Sequence, residues 1–117
     1  DIQTNTDCGL DFINDLRTVT YKWKAPSEHP EEFLSYDADI TEASYTDKMY
    51  GFIAQEVKAA IDNHSEIKDG FDMWSADPTD GRQRLGPSAL IPMLVKALQE
   101  LSAKNDALEA RIATLEG

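Results

Sequence analysis

The chain has 117 residues, of which 11 are basic and 22 acidic, giving a formal net charge of −11 at neutral pH and a sequence pI near 4.4. That acidic balance disfavours nucleic acid and anionic membranes as partners, since both call for an excess of Lys and Arg. One cysteine, Cys8, cannot close an internal disulfide, no apolar run approaches the ~18 residues of a membrane span, and no signal peptide opens the chain. The start at Asp1, without Met, is what a fragment or processed product is expected to show.

Asp7 to Leu16 reads as a short helix, with Asp7 as N-cap and Leu10, Ile13 and Leu16 repeating at three. Arg17 to Lys24 then alternates. Val19, Tyr21 and Trp23 share one face, and Thr18, Thr20, Lys22 and Lys24 the other, which predicts a half-buried strand with its cationic side in water. Ala25 to Asp47 is a long acidic loop carrying Pro26 and Pro30. The acidic loop taken from Pro26 to Tyr50, long, dotted with aromatics and without an evident core role, is the expected contact surface for a partner.

Met49 to Ile53 reads as a second short strand leading into a helix over 54–62. Ile53, Val57 and Ala60/Ile61 mark its buried stripe, and Lys58 and Asp62 form an exposed i,i+4 pair. Residues 70–75 and 82–85 are expected to pair as a hairpin across 76–81, where Asp77-Pro78 and Asp80-Gly81 supply turn chemistry. Gly86-Pro87 breaks the chain before a final helix. Pro92 requires that helix either to start there or to kink, because an interior proline removes a hydrogen bond.

From Ile91 onward one pattern dominates. Ile91, Leu94, Leu98, Leu101, Asn105, Leu108, Ile112 and Leu115 alternate steps of three and four without a break. This is a heptad with a at 91, 98, 105 and 112 and d at 94, 101, 108 and 115. Its 3.5-residue period lays a narrow seam along one helix, and such a seam calls for an equivalent seam opposite. Lys104 and Arg111 fall at g, with Glu109 and Glu116 at the following e positions. Those pairs meet between chains in a parallel, in-register coiled coil, where each contributes under ~1 kcal/mol and selects orientation. The competing reading, an amphipathic helix folded back on its own domain, fits poorly with Gln99, Glu100, Ala103, Asp106, Ala107 and Ala110 at b, c and f.

Leu at d with Ile or Asn at a leans toward a dimer, and Asn105 fixes register. Arg111 to Glu116 instead resembles an Arg–apolar–x–x–apolar–Glu motif of three-stranded coiled coils. The heptads alone leave both open. The expected architecture is α+β: a small mixed head of short strands and helices over 1–86, and a long C-terminal helix over 87–117 that forms a parallel coiled coil.

Candidate chemistry is sparse. His29 and His64 have no Cys or His at ligand spacing and read as ordinary surface residues, so no metal is expected. Asp37, Asp39 and Thr41 have the spacing of a calcium loop, but Glu42 stands where the turn needs glycine and Lys48 where the bidentate Glu belongs. Cys8 has no base nearby and reads as a small buried hydrophobe. Tyr36, Tyr45, Tyr50 and Trp74 are candidate contact residues, with core packing favoured for Tyr50 and Trp74. No cofactor site is expected.

Gly51, Phe52, Ile53, Ala54, Gln55, Glu56 and Val57 form the most specific block in the chain. With Gly9 to Ile13, Tyr21 to Lys24 and Leu90 to Leu101, they resemble the C-terminal intramolecular chaperone domain of bacteriophage tail spikes, tail fibres and neck appendages, a serine–lysine auto-processing peptidase. The resemblance runs in the family's order from Leu10 to Leu101. It implies a homotrimer, and so a trimeric coiled coil, that assists folding of the β-structured stem of its own precursor and is released by autoproteolysis. The acidic loop would then be the surface that meets the stem. The family's Ser-Asp-x-x-x-Lys-x-x-Ile cleavage motif places its final Ile at Ile2. The nucleophile Ser and base Lys are therefore expected upstream of Asp1, and no catalytic residue is assigned within this chain. The implied setting is the host cytoplasm during virion assembly, with the domain absent from the mature virion. The implied partners are other copies of the chain and the stem. The family's usual pattern runs one strand directly into the final helix, so the loop at 76–81 is a departure from it. A permanent structural trimerisation or capping module of a fibre protein is the alternative function.

Overall fold

Phe12 organises the head in the computed structural model, which describes residues 1–7, 9–68 and 71–117. Cys8 and Gly70 lie outside the described residues. Phe12 is fully buried, on a short helix α1 (Leu10–Asn14). Around it pack Val57, Ala60 and Ile61 from α2 (Ala54–Asp62), Ile67 and Met73 from the segment after α2, and Leu90 and Met93 from α3 (Leu90–Glu116). The ring of Phe71 meets Phe12 edge-on at 5.5 Å. Burial of this apolar cluster is the main force holding the head together.

Helix α2 follows its sequence pattern except at Ile53, which is the N-cap residue and is exposed instead of joining the buried stripe. Val57, Ala60 and Ile61 face the core, and Lys58 Nζ bonds Asp62 Oδ1 at 2.6 Å on the outer side. Helix α1 is shorter than its pattern, and its N-cap is Gly9, without a side-chain cap bond, rather than Asp7. The cause is tertiary. Gly9 lies so close to α3 that a Cβ built there would stand 2.6 Å from Lys96 Cγ and 2.9 Å from the Ala97 backbone nitrogen. The α1 entry is set by this approach and by the Leu10 amide, which donates to Glu100 Oε2 at 3.2 Å.

Two separate two-stranded antiparallel ribbons complete the head. Strands β1 (Val19–Tyr21) and β2 (Met49–Gly51) pair with Thr20 opposite Tyr50, and the Tyr21 ring lies over Gly51. Strands β3 (Trp74–Ala76) and β4 (Gln83–Leu85) pair with Ser75 opposite Arg84. The β3–β4 turn uses the expected chemistry. Asp77 Oδ1 accepts from the Thr79 amide at 2.8 Å, and Gly81 takes φ +75°, a left-handed geometry that suits glycine. So the departure at 76–81 is the turn of an antiparallel hairpin, packed on α2 by β3 and β4.

A 3₁₀ turn at Pro87–Ala89 leads into α3, whose 27 residues run without interruption. Pro92 neither starts nor kinks the helix. It is the third residue of the first turn, where the backbone N–H has no intrahelical acceptor to lose. Leu90, Met93 and Ala97 are buried against the head, whereas every residue from Leu101 to Gly117 is exposed. The molecule therefore combines mixed helix and strand with a long projecting C-terminal helix, 71 Å in its longest dimension. No helix among the described residues is long and apolar enough to cross a membrane.

His64 differs from its reading as a surface residue. It is largely buried beside α1, with Nε2 2.7 Å from Asp15 Oδ2 and its ring edge-on to Phe12 at 5.9 Å. His29 Nδ1 lies 2.8 Å from Ser35 Oγ within the acidic loop.

Candidate self-association interface

Helix α3 carries two apolar stripes. Leu90, Met93 and Ala97 face the head core. The heptad seam lies roughly a quarter turn away at 100° per residue, and the head leaves it open. Ile91 is 60% exposed, Leu98 65%, Leu101 51%, Leu108 54%, Ile112 54% and Leu115 84%. Leu94, nearest the head stripe, is 41% exposed. An exposed helix of this length with one apolar face gains most of its stability only when that face is packed. Asn105, the polar a position, bonds along its own helix, with Nδ2 3.3 Å from Glu109 Oε1. Lys104, Arg111 and Glu116 extend from the same exposed stalk and make no ion pair within this single chain among the described residues.

The block from Gly51 to Val57 acquires a physical account. Gly51 ends β2 under the Tyr21 ring, and Phe52 packs on the core margin. The Ile53 carbonyl accepts the Val57 amide at 3.0 Å, opening α2, and Val57 is buried. Glu56, in the first turn of α2, receives Arg17 Nε at 2.8 Å and Nη2 at 2.7 Å. This two-point pair joins the α1–β1 connection to α2, a geometry particular to arginine. Ala54 and Gln55 fill the remainder of the turn. The block is a strand-to-helix corner, and it holds no reactive group.

The hydrogen bond from Arg17 holds the Glu56 carboxyl below the usual glutamate range; desolvation opposes it, and a lesser Coulombic attraction to Arg17 adds to it. A folded-state value below the unfolded one means that the pair stabilises the head above the ordinary carboxylate range and ceases to do so as pH falls through the folded value. Glu56→Gln is therefore expected to lower the unfolding midpoint at neutral pH and to match wild type in acid. Thermal unfolding across a pH series reads this; a deficit equal at every pH would contradict it.

A second exposed feature adjoins the head end of α3. Val19, Tyr21 and Trp23 from the β1 side, with Arg82, Leu85 and Pro87 opposite, line an open groove of about 710 Å³. The alternating face of β1 thus looks onto this groove instead of the core, and Trp23 is 54% exposed. Tyr50 is also exposed, whereas Trp74 packs against the core margin and donates its indole N–H to Gln83 Oε1 at 2.7 Å.

The described residues thus form a mixed helix-and-strand head from which a helix with an exposed apolar seam projects. Residues 1–66 match the family model described as Chaperone of endosialidase, and the chain belongs to that family. The match spans α1, both strands of the first ribbon and α2; the β3–β4 hairpin and α3 lie beyond it. No curated protein and no solved structure matches the chain significantly.

Proposed function

We infer from family membership that the chain has a chaperone role in the folding of a phage fibre. We propose that the chain does this as a homotrimer joined through the α3 seam, assisting the β-structured stem of its own precursor and leaving it by autoproteolysis upstream of Asp1. The observation that carries the reading is the pair of stripes on α3. One anchors the head, and the other remains fully available to equivalent helices. Folding of an intertwined stem is slow because distant segments must be brought together before their contacts repay the cost. Tethering three copies raises their mutual concentration to about the millimolar range and aligns them in register. Lys104 with Glu109, and Arg111 with Glu116, would then meet between parallel neighbours.

Release has its own test. Expression of a precursor that contains this segment is expected to yield mature fibre lacking residues 1–117, with the segment recovered separately by mass spectrometry. Fibre that retains the segment would contradict release and favour a permanent cap.

A further inference from the structure

The aromatic groove is unusual for this chain in its charge. The protein is strongly acidic, yet Arg82 lines the groove, half-buried, and its guanidinium makes no hydrogen bond or ion pair among the described residues. Arg84 lines it as well, paired with Asp77 Oδ2 at 3.0 Å, whereas Lys22 and Lys24 belong to the other face of the strand alternation. The β1–β2 ribbon that forms one wall has only three residues per strand and contributes nothing to the central core cluster. A two-stranded ribbon of that size is marginal in water unless something packs against it. The groove therefore presents apolar surface together with arginine, and no carboxylate among its described lining residues, which calls for an acidic segment carrying apolar side chains.

The chain itself contains such a segment. No Lys or Arg occurs from Ala25 to Asp47, while Asp37, Asp39, Glu42 and Asp47 punctuate the second half of that stretch. There Ile40 is 47% and Tyr45 49% exposed. The base of the loop is fixed: the Ser27 amide donates to the Ile40 carbonyl at 3.0 Å, and the Leu34 amide to Asp80 Oδ2 at 2.9 Å. Residues 41–47 make no backbone hydrogen bond among the described residues. The groove reaches Pro87, in the turn that opens α3, and so lies at the head end of the proposed seam.

We infer that the groove of one head receives the acidic 37–47 segment of a second copy, with Ile40 and Tyr45 against the Tyr21–Trp23 wall and the segment's carboxylates facing Arg82. This rests on self-association of the chain. Around a three-fold axis such a head-to-tail contact closes on itself and satisfies every groove. It assigns to a neighbouring head the loop that the sequence offered as a stem-contacting surface.

The test uses the whole chain labelled with 5-fluorotryptophan, whose two fluorine resonances are assigned with Trp23→Phe. Accessibility of Trp23 to a soluble paramagnetic agent is measured across a concentration series whose oligomeric state is followed by sedimentation. A several-fold loss of accessibility on association, restored in the Ile40→Asp/Tyr45→Asp variant while the oligomer persists, is the expected result. Equal accessibility before and after association overturns the groove assignment and leaves the seam standing. Protection that survives the double substitution overturns the choice of segment. Absence of association at every concentration removes the underlying reading together with this one.

Discussion

Leu101→Asp combined with Leu108→Asp is expected to leave a folded, monomeric head and, in the precursor, a misfolded and aggregated fibre. Both leucines occupy d positions on the exposed stalk, and neither touches the head core, whose α3 contribution is Leu90, Met93 and Ala97. Each substitution forfeits about 2 kcal/mol of apolar burial per chain. It also brings together, on the axis of an assembled coil, carboxylates whose desolvation costs several kcal/mol each. Two layers altered in every chain, one on each side of the Asn105 layer, exceed what the weak Lys104–Glu109 and Arg111–Glu116 pairs can offset. Circular dichroism is expected to retain the head signal with some loss of helix, because the stalk loses its packing partner. Sedimentation should report a mass near 13.1 kDa. Normally assembled fibre from this variant would show that the seam is not the nucleating element.

Gly9→Ala acts at the other end of the design, on the attachment of α1 to α3. The new methyl would sit 2.9 Å from the Ala97 nitrogen, a backbone atom that cannot rotate away, and 2.6 Å from Lys96 Cγ. The φ of −128° is open to alanine, so the effect comes from space and not from torsion. Relief requires α1 to retreat from α3, which lengthens the Leu10 amide contact with Glu100 and loosens Phe12 in its pocket. Overpacking of this kind costs about 1–3 kcal/mol, a large share of the stability of a head of this size. A clear drop in the unfolding midpoint and faster exchange of the α1 amides are expected. An unchanged midpoint would show that the approach of α1 to α3 is looser than described.

The periodic elements were legible in the sequence because period alone determines which residues share a face. Helix α2 and the exposed apolar heptad of α3 belong to that class, while the β3–β4 turn was legible from its Asp-Pro and Asp-Gly chemistry. What period does not reveal is whether anything covers the face. Val19, Tyr21 and Trp23 alternate as a buried strand would, yet the structure sets them on an open groove. Tyr50, expected in the core, is 74% exposed, and Lys48 Nζ lies 5.6 Å from its ring centroid. Contacts between distant segments were equally hidden. The join of Gly9 to α3, of His64 to Asp15 and of Arg17 to Glu56 each links residues with no local signature. The second stripe of α3 did leave a trace, since Leu90, Met93 and Ala97 repeat at three and four beside the longer heptad. The stronger seam masks it. Asp7 failed as a cap because tertiary crowding at Gly9, and not local hydrogen bonding, sets where α1 begins.

Sedimentation equilibrium of the intact chain over a wide concentration range tests the central claim most directly. Three exposed seams packing together predict a single species at three times 13.1 kDa. A dimer would break the link to a three-chain fibre, and a monomer persisting at high concentration would contradict self-association through α3.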